Sequence, residues 1–197
     1  SAHVFGGRIY IYPSHDVEND IPFDDLGSHF DMQDYHVISM DSPDAKAIEH
    51  GVALHIKDVP WAEKQMWAPD AAEKNGTFYL YFPAKAHDGI FRIGVATSSS
   101  PTGPFTPQPD AIKGSFSIDP AVFKDDNGHY YMYFGGIWGG QLQRWRKGTF
   151  MADGVGPLVY LPESNEPALC PKVARLRDDL LEFAEAPQDL IITDENG

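Results

Sequence analysis

Three stretches of the chain share one pattern: a glycine, a polar residue, then a run rich in aromatic and β-branched residues. Gly7-Arg8-Ile9-Tyr10-Ile11-Tyr12 recurs as Gly76-Thr77-Phe78-Tyr79-Leu80-Tyr81 and as Gly128-His129-Tyr130-Tyr131-Met132-Tyr133. Glycine supplies the positive φ of a tight hairpin turn, and the run behind it prefers a pleated strand. Asn75 and Asn127 precede the second and third glycines, and Asn-Gly between strands is a strong hairpin signal. A short strand is expected before each turn, over residues 2–5, 70–73 and 121–124. A further strand follows at variable distance, beginning at Val37, Val95 and Val173. The segment 173–186 also has the spacing of an amphipathic helix; its alignment to the repeat favours a strand followed by a helical turn.

The unit is therefore strand, hairpin, strand, excursion, strand. Repeated all-β units of this size predict a β-propeller in which each unit is one blade. The expected blades cover about 1–50, 51–110 and 111–190, and Asp194-Glu195-Asn196-Gly197 reads as the turn of a next unit. Three units do not close a propeller, so the chain is expected to be part of a larger catalytic or binding domain. No linker divides it into two domains.

Composition narrows the partners. The chain has 197 residues, of which 42% are hydrophobic and 22% charged, enough for a globular core. A net charge of −14 disfavours nucleic acid and anionic lipid and suits a neutral partner such as a carbohydrate. Cys170 is the single cysteine, which excludes an internal disulfide and a thiolate-rich metal site. No apolar run is long enough to span a membrane as a helix. The first residues lack the pattern of a signal peptide, which leaves the compartment open, as is the oligomeric state.

Candidate chemistry lies where inner strands begin, because these ends face the propeller axis. In the third unit this is Ile118-Asp119-Pro120, whose proline predicts an extended backbone at Asp119. The Asp is either a functional carboxylate at the channel mouth or a turn initiator. In the second unit it is Met66-Trp67-Ala68-Pro69-Asp70, where Trp67 either stacks on a sugar ring or packs between blades. His15 and Asp16 are expected to close the second strand of the first blade, as a sugar contact or a surface loop. Trp138, in Gly135-Gly136-Ile137-Trp138-Gly139-Gly140, is either an aglycone platform approached through glycines or the core of a β-bulge. The eight histidines show no ligand spacing, so no metal site is expected. Asp16, Glu18, Asp20, Asp24 and Asp25 form an acidic cluster without the calcium-loop pattern, and read as a solvated loop.

Trp67-Ala68-Pro69-Asp70, Ile93-Gly94-Val95-Ala96 with Ser100-Pro101-Thr102-Gly103-Pro104-Phe105, and Ile118-Asp119-Pro120-Ala121-Val122-Phe123 occur in an order and spacing that resemble glycoside hydrolase family 43. The resemblance implies a five-bladed β-propeller that hydrolyses xylose- or arabinose-containing plant polysaccharides or oligosaccharides with inversion. It implies a general-base Asp, a general-acid Glu and a second Asp that orients the Glu and raises its pKa. By position Asp119 matches that pKa-modulating Asp, and Trp67 the aromatic of the substrate subsite. The base is expected ahead of Ser1 and the acid beyond Gly197; Glu166, Glu182 and Glu185 come too early for it. The isolated chain is thus expected to be inactive, and a non-catalytic carbohydrate-binding propeller is the alternative. No cofactor is implied as required, although a structural calcium in the complete propeller is, held by a His of a late blade.

Overall fold

The structure is a computed structural model and describes residues 1–153, 156 and 158–193. The residues 194–197, read above as a turn, lie outside the described set. The first sheet starts with β1 (Ala2–Phe5) and β2 (Arg8–Ile11), joined through Gly6 and Gly7, both at positive φ. An excursion follows, carrying the two-stranded ribbon β3 (Asp16–Val17) and β4 (Asp31–Met32), before β5 (Asp34–Met40) and β6 (Ile48–His55) complete the order β1-β2-β5-β6. The first sheet thus runs through His55, past the boundary near residue 50 expected from the repeat.

The second sheet consists of β7 (Ala62–Lys64), β8 (Asp70–Lys74), β9 (Thr77–Ala86), β10 (Phe91–Ser98) and β11 (Thr106–Pro107). Its β8–β9 hairpin turns through Asn75 and Gly76 at φ +55° and +78°, a two-residue turn whose twist suits antiparallel strands. The third sheet has β12 (Ala121–Lys124), β13 (Tyr130–Phe134), β14 (Lys172–Arg175) and β15 (Gln188–Asp189), in that order. Here the hairpin loop is longer: the Asp125 and Gly128 amides donate to His129 and Asp125 carbonyls, so Asn127-Gly128 does not form a two-residue turn. The helical turn expected after the strand at Val173 is replaced by an irregular loop closed by a bridge between Leu176 and Phe183.

The chain is all-β, with three sheets that are blades of a β-propeller. Their innermost strands stand side by side, β8 between β1 and β12. Asp70 ties them together: one carboxylate oxygen lies 2.6 Å from His3 Nε2 in β1, and the other accepts from the Val122 amide in β12, also at 2.6 Å. Burial alone would raise the Asp70 carboxyl, but the hydrogen bonds from His3 and the Val122 amide hold it below the ordinary value.

Strand alternation sorts side chains into two cores. From β9, Leu80, Phe82 and Ala84 pack against the first sheet, with Tyr12, Tyr35, Val37 and Leu54. The alternate residues Tyr79 and Tyr81 pack against the third sheet, with Met132, Phe134, Ala174 and Leu180. Two of the repeated tyrosines have a reason: Tyr12 donates to the Pro101 carbonyl in the loop after β10, and Tyr81 to the Leu180 carbonyl in the loop after β14. Each fills core volume while its hydroxyl satisfies a neighbouring blade's backbone.

Candidate active site

Loops that precede the innermost strands meet the first excursion in a cavity of about 440 Å³. Trp67, before β8, and Asp119, before β12, both line it. So do Phe23, Asp24, His29 and Phe30 of the excursion, and Trp138 of the loop after β13. The structure therefore brings together Asp119, Trp67 and Trp138, which are far apart in sequence. A larger concavity of about 680 Å³ lies among Phe116, Trp145, Arg146, Lys172 and Asp189. Its acidic member, Asp189, is ion-paired with Lys172. The smaller cavity is the better candidate because its carboxylate at Asp119 has no cationic partner among the described residues.

Asp119 does not take the extended backbone expected before proline; its φ is +58°. The loop is fixed from the side. Ser117 Oγ donates to the Gly136 carbonyl at 3.0 Å and accepts from the Gly136 amide at 2.8 Å. The Gly135 amide donates to the Ile118 carbonyl at 2.9 Å. Asp is among the residue types that tolerate this left-handed conformation. Asp119 is exposed to the cavity, and the partial loss of hydration beside the protein pushes its carboxyl above its ordinary value.

Trp67 is half-buried, partly in packing contacts and partly at the cavity. Its ring packs on Phe91 at 4.7 Å and meets Phe30 edge-on at 6.2 Å, while part of it borders the cavity. Tyr35 Oη donates to its carbonyl at 2.5 Å, and its indole Nε1 donates to the Phe30 carbonyl at 3.3 Å. Trp138 is 46% exposed in a 3-10 turn, Trp138–Gly140. The glycines around it bring protein, not ligand, close. A Cβ at Gly139 would sit 2.6 Å from the Leu26 carbonyl oxygen, and one at Gly136 2.7 Å from Ile118 Cγ1. Only with glycine at these two positions can this loop close on the excursion and on the Asp119 loop.

His15 and Asp16 are placed differently from expectation. β2 ends at Ile11, and Asp16 begins the separate β3–β4 ribbon. Neither side chain is among those lining the cavity; His15 instead lies 2.5 Å from Asp34 Oδ1. The acidic cluster does not converge either. Asp24 Oδ1 accepts from the Leu26 and Ser28 amides, and Ser28 holds the carboxyl below its ordinary value. Among the described residues lining the cavity, no three His, Asp or Glu side chains converge as metal ligands. The residues that pattern alone missed are Phe23, His29 and Phe30, whose rings pack in a row, tilted against one another, with centroids 4.3 and 4.1 Å apart. Aromatic residues inside an otherwise polar, acidic loop were the available signal.

Residues 39–160 match the family model described as glycosyl hydrolases family 43. The chain belongs to this family. Xylosidase/arabinosidase 43A of Humicola insolens is 58% identical over 98% of this chain and 60% of its own length. A xylosidase/arabinosidase of Bacteroides ovatus is 50% identical over 100% of this chain and 59% of its own. Among solved structures, a family 43 beta-xylosidase/alpha-arabinofuranosidase from a compost microbial metagenome superposes with a TM-score of 0.95 at 58% identity, over 100% of this chain and 59% of that one. That structure is of a complex with xylotriose in a calcium-free form. The chain spans about 60% of the length of the curated relatives that it matches. Among the described residues, no helix is long and apolar enough to cross a membrane.

Proposed function

We propose that the protein is an inverting glycoside hydrolase acting on xylose- or arabinose-containing plant polysaccharides or oligosaccharides, with this chain forming one side of its site. The observation that carries this is the convergence of Asp119, Trp67 and Trp138 on one cavity. Trp67 and Trp138 offer apolar faces to the C–H surface of a sugar ring, and Phe23 and Phe30 extend that surface along the excursion. The relatives named for xylosidase and arabinosidase activity, and the neighbour holding xylotriose, support the pentose.

Asp119 is a positioning residue in this account. The general base and general acid belong to the part of the protein that this chain does not span. A carboxylate at Asp119 beside the acid raises the acid's pKa by like-charge repulsion, so the acid keeps its proton until the leaving oxygen takes it. Because partial desolvation raises Asp119 itself, its charge is present only above that raised value. In the full-length protein, Asp119→Asn is expected to lower kcat on a chromogenic xyloside or arabinofuranoside about a hundredfold or more. KM is expected to change little, and the high-pH limb of the kcat profile should move to lower pH because the acid loses its proton earlier. Unchanged kcat removes Asp119 from the machinery. Sugar binding with no pentose released by the wild-type protein would instead indicate a carbohydrate-binding propeller.

A further inference from the structure

The excursion that walls the cavity has a neck, and three metal-ligating side chains meet there. His15 stands immediately before β3, and Asp34 and His36 stand just after β4, in β5. Asp34 and His36 are two residues apart on a strand, so both project from one face, while Tyr35 between them is buried in the core. The β5–β6 register shifts on either side of His36, an irregularity of the kind that re-aims a side chain. His15 reaches the same face from the other side of the neck. Its Nδ1 lies 2.5 Å from Asp34 Oδ1, His36 Nε2 lies 3.7 Å from that same oxygen, and the two imidazoles are 4.8 Å apart.

We propose that His15, Asp34 and His36 form a binding site for a first-row divalent transition metal, with Zn²⁺ as the best-suited ion. One donor atom from each residue lies within 4.8 Å of the others. Tetrahedral zinc with bonds of about 2.0–2.1 Å needs donors about 3.3 Å apart, within reach of small rotations of the exposed His15. Two imidazoles and a carboxylate suit zinc over calcium or magnesium, which prefer oxygen cages. The other nitrogen of His36, Nδ1, lies 2.7 Å from Glu49 Oε1, and that oxygen also accepts from the Gly51 amide at 2.6 Å. Such a carboxylate behind a liganding imidazole fixes its tautomer and strengthens it as a donor. His15 is exposed while Asp34 and His36 are partly buried, so the ion has an entry path from the His15 side and a fourth position for water. Bound there, the metal clasps both roots of the β3–β4 ribbon, whose far end carries Phe23, His29 and Phe30.

The test is equilibrium dialysis of chelator-treated full-length protein against Zn²⁺, with thermal midpoints measured with and without the ion. One equivalent more Zn²⁺ is expected on the wild type than on His15→Gln or His36→Gln, and the Zn²⁺-induced rise in midpoint should shrink in both variants. Glu49→Gln is expected to retain the site with about 10–100-fold weaker affinity. His15 is on the exposed excursion, so its substitution carries the test even if His36→Gln disturbs β5. Zinc uptake by wild type that is absent, or equal to that of His15→Gln, overturns the proposal.

Discussion

The second sheet and the first excursion both spend aromatic residues freely, with opposite results. In β9, Phe82 is fully buried between sheets and Tyr81 fully buried on the other face. In the excursion, Phe23 is 80% exposed and Phe30 40% exposed beside the cavity. Strand periodicity forces the first set into two cores, where each ring is surrounded by other buried side chains. The excursion has no such period; its rings lean on one another, Phe30 meets Trp67 edge-on, and their remaining surface is presented outward. Apolar area stabilises the fold in one region and remains available for a ligand in the other.

This contrast can be broken by mutation. The largest effect is expected from Phe82→Ala, at about 3–5 kcal/mol lost on denaturant unfolding, because transfer and cavity costs add in a closed core. Phe23→Ala should stay within about 0.5 kcal/mol of wild type in the same experiment while weakening xylotriose binding. Equal costs at the two sites would erase the distinction. Between these lies Asp70→Asn, expected to cost about 1.5–3 kcal/mol at neutral pH by loosening the clamp between β1, β8 and β12. Its sign with pH follows from the depressed folded-state value. The stabilisation is fully present above the carboxyl's unfolded value and is lost as pH falls through the lower folded one, so the variant and wild type should converge in acid. A difference that persists there would mean that packing, not charge, holds the clamp.

How much of this was legible in sequence depended on how local the cause was. The hairpin at Asn75-Gly76 and the strands behind each glycine follow from turn chemistry and strand propensity within a few residues. Asp119 and Trp67 were visible because each stands just ahead of an inner strand, and the order of their motifs resembles one family. Their shared cavity was then a consequence of propeller symmetry. The positive φ at Asp119 was hidden, because it is imposed by Ser117 and Gly135–Gly136 across the loop and not by Pro120. The glycines around Trp138 left open a ligand approach or a tight bulge; at Gly139 the space is filled by Leu26 and Trp67, contacts between segments more than seventy residues apart. His15, Asp34 and His36 matched no spacing motif, since His15 is separated from Asp34 by the eighteen residues 16–33. Asp70 sat in plain view within Trp67-Ala68-Pro69-Asp70, but its clamp joins three strands that only the fold brings together.

The central claim is that sugar occupies the cavity shared by Asp119, Trp67 and Trp138. The four tryptophans are natural reporters of it, since Trp145 lines the larger concavity and Trp61 packs on Phe82 away from both. Indole N–H resonances of full-length Asp119→Asn protein, followed during titration with xylotriose, test it directly. Trp67 and Trp138 should shift together along one saturation curve, with Trp61 and Trp145 unmoved. A titration that shifts Trp145 and leaves Trp67 and Trp138 in place would contradict the account.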